Sequence, residues 1–209
     1  MCFRRPKYIE TAKNASAGSI DVSSLTTGDI LIFSDNWSDS SVKRMVRNAN
    51  DKLWVSGGIV INAPTVFQDV MLLQHDLRKN DNQLQNHLDF TSEETGVKLV
   101  GLSARLKFPD YQTCMLRKIN PNIKSMFQRE PKKHVTVTAA FTSGIPDTNY
   151  SNSGHMIFNA LRNAGLLEDM KIPLDFNLAQ CANNSINELG VGPNLYSKGE
   201  LYFREFDQS

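Results

Sequence analysis

Three cysteines in 209 residues, Cys2, Cys114 and Cys181, are too few and too scattered for a disulfide framework or a zinc site of recognisable spacing. A reducing compartment is the default expectation, with no metal. Long apolar runs are missing as well. Gly57 to Ile61 and Val70 to Leu73 fall far short of the roughly 20 residues a membrane span requires, so no transmembrane span is expected. Charge of either sign is not in excess: 23 basic against 22 acidic residues give a net charge of +1, which supplies no global field for nucleic acid or acidic lipid. No G-x-x-x-x-G-K-[ST] loop and no G-x-G-x-x-G opening a helix occurs, so no nucleotide cofactor is expected. The N-terminal MCFRRPKYIETAKN carries two arginines without a following apolar stretch, unlike a secretory signal. Cys2 beside Phe3, Arg4 and Arg5 reads as an acyl acceptor or as part of a solvated terminus.

What is present suits a globular core. A 40% hydrophobic content over this length can fill one domain. Residues 1–24, rich in Ala, Ser, Lys and Asn, read as an extended arm, and residues 25–209 as the folded domain. In LTTGDILIFSD, Thr27-Gly28-Asp29 forms a turn and Ile30 to Phe33 a buried strand. Ser40 to Asn50 has Val42, Met45 and Val46 at helical spacing with a basic opposite face. DKLWVSGGIVI, residues 51–61, marks the start of a buried strand, with Gly57 and Gly58 allowing close approach of another backbone.

Ala63-Pro64 interrupts that strand, and Val66 to Leu73 supplies an antiparallel neighbour. Arg78 to Asp89 is polar and reads as a long surface excursion. Thr95-Gly96 turns into the strand VKLVGL, followed by a short SARLKF helix or turn. Met115 to Ile119 and His134 to Phe141 are further strands. Helices come late: Gly154 to Leu167, stopped by Gly165, and Phe176 to Leu189, stopped by Gly190. The fold class is therefore α+β, an antiparallel sheet of five or more strands packed against helices.

The ordered series LTTGDILIF, WVSGGIVI, VMLLQHD, TGVKLVGLSARL, MLRKI, CANNSINELG and LYSKGEL resembles the circularly permuted papain-like cysteine hydrolases of the NlpC superfamily. The pattern is similar to the YiiX-like branch, with members in bacteria, eukaryotes and large DNA viruses. The resemblance runs from Leu25 to Leu201 and implies a permuted papain-like fold.

By that resemblance Cys181 matches the family nucleophile, near the start of a helix whose dipole would favour thiolate. Ser56 falls where the family has its catalytic histidine. A serine hydroxyl does not titrate in the range needed to take the thiol proton, so the general base is missing. Gln74 falls at the residue that orients the histidine, where an amide carbonyl can still accept a hydrogen bond. His75, next in the strand, should face away from Gln74; His87, His134 and His155 read as surface residues.

Two functions follow from the resemblance. In one the domain is a catalytically inactive pseudo-hydrolase, a structural or binding component with protein partners, such as a virion or capsid-associated protein of a large DNA virus, located in the virion or host cytoplasm. In the other it is an active cysteine hydrolase of amide or ester bonds with Cys181 as nucleophile, in the cytoplasm. A third class is an interaction domain recruited through the basic helix and the N-terminal arm.

Overall fold

A computed structural model describes residues 20–35, 54–75, 84–87, 96–108, 111–123, 150, 152–167, 176–183, 185–190 and 194–203. Residues 1–19 of the extended arm expected at 1–24, the basic helix expected at 40–50 and the strand expected at 134–141 lie outside these residues. Within 20–24, Val22–Ser24 form a 3-10 turn, and Ile20 and Val22 pack against buried residues of the sheet, so that part is not an extended arm. Among the described residues six strands form one antiparallel sheet: β1 (Ile30–Asp35), β2 (Trp54–Ile61), β3 (Met71–His75), β4 (Val97–Gly101), β5 (Tyr111–Arg117) and β6 (Glu200–Phe203). Their order across the sheet is β4-β3-β2-β1-β5-β6. Helix α1 (Leu102–Lys107) follows β4 directly, while α2 (Ser153–Asn163), α3 (Leu178–Ala182) and α4 (Ser185–Glu188) come late in the chain. The expected α+β class with an antiparallel sheet is the observed one.

The Thr-Thr-Gly-Asp run earns its place at the start of β1 through hydrogen bonds. Gly28 adopts φ +97°, a conformation that costs other residues more. Asp29 then bridges two distant segments, its Oδ2 accepting from the Thr26 N–H at 2.9 Å and its Oδ1 from the Ile119 N–H at 2.8 Å. Gly28 donates to the Val60 carbonyl, and Val60 donates back to Asp29. One short motif thereby joins β1, β2 and the end of β5.

Alternation along the strands sorts the apolar residues into two layers. Ile30, Ile32, Ile59, Leu73, Leu99 and Met115 face α2 and α3 in the larger layer. Leu31, Phe33, Val60, Leu72, Val100, Cys114 and Leu116 form the smaller layer on the other face, together with Leu102 of α1 and Leu84. Both faces of the sheet are covered, which accounts for strands that read as near-continuous apolar runs.

A bulge modifies this alternation at the start of β2. Phe33 pairs with Ser56 and Ser34 with Trp54, leaving Val55 as the extra residue, 40% exposed. Trp54 consequently turns into the larger layer, although two residues later Ser56 points to the smaller one. A single inserted residue reverses the side-chain alternation in this way.

Helix α2 is capped by Asn152, whose Oδ1 accepts from the His155 N–H at 3.0 Å. It ends before Gly165, which takes φ +73° as the expected C-terminal glycine. The single helix expected over Phe176 to Leu189 is instead two. Asn183 adopts extended backbone after α3, and its side chain accepts from the Ser185 N–H. An asparagine that satisfies the backbone locally offers an alternative to continuing the helix. Strand β6, absent from the sequence reading, begins directly after Gly199 and pairs with β5.

Candidate functional site

The three positions singled out by the sequence do not meet in one cleft. Ser56 and Gln74 converge on the smaller-layer face of the sheet, where α1 supplies Arg105 between them. Arg105 Nε donates to Gln74 Oε1 at 3.0 Å and its Nη2 to Ser56 Oγ at 3.2 Å. The guanidinium carbon stands 4.1 Å above the Phe33 ring and 5.5 Å from that of Tyr111, a cation held over the electron-rich faces of aromatic rings. Ser56, Gln74 and Arg105 are all buried.

Cys181 lies on the other side of the sheet, in the larger layer with Leu178, Ile157 and Phe176. The residue of β2 that faces α2 and α3 there is not Ser56 but Gly57, which lies under Leu178 and Ile157. A side chain built on Gly57 would come within 2.8 Å of Leu178 Cδ2 and 3.6 Å of Ile157 Cδ1, so the glycine lets α2 and α3 settle onto the strand. Strand alternation is the physical reason the expected constellation does not form: consecutive positions address opposite faces, and the thiol-bearing helix packs on the face of position 57.

The helix-dipole expectation for the thiol is likewise corrected. Cys181 occupies the fourth position of the five-residue α3, after the Asn177 cap and its reciprocal bond with Gln180. It is close to the C-terminal end, where the dipole disfavours an anion. Burial raises its pKa strongly above the ordinary value, with the Arg117 charge as the opposing influence. The second buried thiol, Cys114, is pushed up to about 12 by burial, opposed by Arg105.

Arg117 is the residue that sequence reasoning missed. From β5 its Nη1 donates to the carbonyls of Ala182 at 2.9 Å and Asn183 at 2.6 Å, with Cys181 at 3.4 Å. Its Nε donates to the Ser197 carbonyl at 2.6 Å. The guanidinium fork thus satisfies the end of α3 and ties it to the segment before β6. Its Nη2 is buried with no hydrogen-bond partner among the described residues. MLRKI carried the only signal, a charge inside an apolar strand.

Histidines are placed as follows. His75 faces the larger layer, as the alternation argument required, with its ring edge-on to Tyr150 at 6.1 Å and its carbonyl accepting from Ser153 Oγ. It stands on β3, whereas Cys181 is carried by α3, which packs on β2 and β1. His87 is exposed, His155 lies in the first turn of α2, and His134 is outside the described residues. Among the described residues no group of His, Cys, Asp and Glu could hold a metal ion, and no helix is long and apolar enough to cross a membrane.

Fold and site together define an α+β protein with a six-stranded antiparallel sheet enclosed on both faces. No known family, curated protein or solved structure matches the chain.

Proposed function

We propose that this chain is a noncatalytic binding or structural module, resembling permuted papain-like hydrolases in the order of its motifs but not in the assembly of a site. One observation carries this reading: the position that resembles the nucleophile is fully buried in the larger layer, and the positions that resemble its base and orienting residue are committed to Arg105 across the sheet. A thiol hydrolase needs an accessible thiolate with a proton acceptor in hydrogen-bond reach. Here burial favours the neutral thiol instead. The partners are proteins, and the presence of the resembling branch in large DNA viruses makes virion assembly the first setting in which to seek them.

Iodoacetamide labelling at neutral pH tests the reading. Cys181 in the native chain should react more than about a hundredfold more slowly than in the urea-unfolded chain, and a generic ester should not be turned over. Rapid, stoichiometric labelling of native Cys181 together with ester turnover abolished by Cys181→Ala would overturn it.

A further inference from the structure

The outer edge of β4 carries a short piece of the same chain. At Leu99 both backbone groups point away from β3: the Leu99 N–H donates to Asn86 Oδ1 at 3.0 Å and the Leu99 carbonyl accepts from the His87 N–H at 2.8 Å. Two residues earlier, Leu84 is buried in the smaller layer. Gln85 and His87 are exposed. Residues 84–87 are not a strand, because a side-chain amide takes the place that a backbone carbonyl would hold in a ladder. They nevertheless occupy the outward-facing hydrogen-bonding pair of an edge strand, the feature to which extended peptides add.

We infer that the β4 edge at Leu99 is a peptide-docking site which the chain itself occupies with Leu84-x-Asn86-His87 as an internal pseudo-ligand. The partner is an extended peptide presenting a leucine-sized anchor and, two residues on, a hydrogen-bond acceptor for the Leu99 N–H. Its next backbone N–H reaches the Leu99 carbonyl. The chemistry of the occupant follows from the segment already seated there: one apolar side chain in the smaller layer and two hydrogen bonds to one residue. Docking requires residues 84–87 to leave, so the segment acts as a competing strap that sets how tightly a partner binds. This rests on the reading of the chain as a binding module and supplies that module with a site.

The test uses the full chain and a synthetic peptide of residues 82–89. In the Leu84→Ala/Asn86→Ala variant the strap is weakened, and titration with the peptide should produce a saturable shift of the Leu99 amide resonance. Affinity should be at least tenfold tighter than for the unaltered chain, and a peptide carrying Leu84→Asp should not compete. A variant with native resonances elsewhere and no Leu99 shift overturns the inference. Should the variant fail to fold, hydrogen exchange in the unaltered chain decides: Leu99 should exchange through local opening, at least a hundredfold faster than Leu73 on β3. Exchange of both only by global unfolding overturns it. Cys181 labelling reports independently on the noncatalytic reading, since that thiol sits on the other face of the sheet.

Discussion

Arg105 and Gln74 form a side-chain pair inside the smaller layer, with Nε 3.0 Å from Oε1. The pair joins α1 to β3 where neither side chain meets water. Hydrogen bonds to a charged group are worth more than neutral ones, and a buried donor deprived of its acceptor bears its full desolvation cost. Gln74→Leu should therefore destabilise the fold by about 2 kcal/mol, read as a fall in the urea midpoint of roughly 1 M at unchanged slope. Gln74→Glu should be the milder change, because the carboxylate retains an acceptor for Arg105.

Ser56→His restores the residue type that the resemblance places at the base position. Ser56 Oγ accepts from Arg105 on the face of the sheet opposite Cys181, so the imidazole would enter the wrong layer. Labelling of Cys181 by iodoacetamide at pH 7 should not accelerate, and the thermal midpoint should drop because a larger group is forced into a packed site. Acceleration by tenfold or more would place the two residues on one face.

Alkaline pH should weaken the fold through its buried thiols. For each, the folded pKa is raised, Cys114 from an ordinary 9.0 to about 12 and Cys181 in the same direction. The sign follows: the contribution is complete below the unfolded pKa and is lost as pH climbs from there towards the folded value. Stability should fall by ~1.4 kcal/mol per pH unit for each thiol above about pH 9. Urea titrations at pH 8, 9.5 and 10.5 should show a shallower decline for Cys114→Ala, by one thiol's share.

Arg117→Lys keeps the charge and removes the fork. A lysine cannot serve the Ala182, Asn183 and Ser197 carbonyls together as the guanidinium does. A loss of about 2–4 kcal/mol is expected. The short α3 should open before the sheet does, so Cys181 labelling should rise at least tenfold while the far-ultraviolet spectrum stays native. Equal protection of Cys181 in both proteins would mean that Arg117 does not hold α3.

Much of the fold was legible because its signals are local. Gly165 marks the end of α2 since a residue beyond a helix favours positive φ, and the apolar runs of β1 to β5 mark strands covered on both faces. Other features arise from competition that no single window contains. Asn183 divides an amphipathic stretch that would otherwise continue as helix, and the extra residue Val55 turns Trp54 and Ser56 to opposite layers.

The amino-acid sequence by itself determined the α+β class, the approximate positions of β1 to β5 and the chemical types present at 56, 74 and 181, because these depend on near neighbours and periodicity. Tertiary structure alone decided which of those types share an environment. A strand offers successive side chains to opposite faces, and the face that receives each helix is set by packing across the whole sheet. That packing gave Ser56 and Gln74 to Arg105, and it buried Cys181 of α3 in the opposite layer, where Arg117 holds the carbonyl end of the helix.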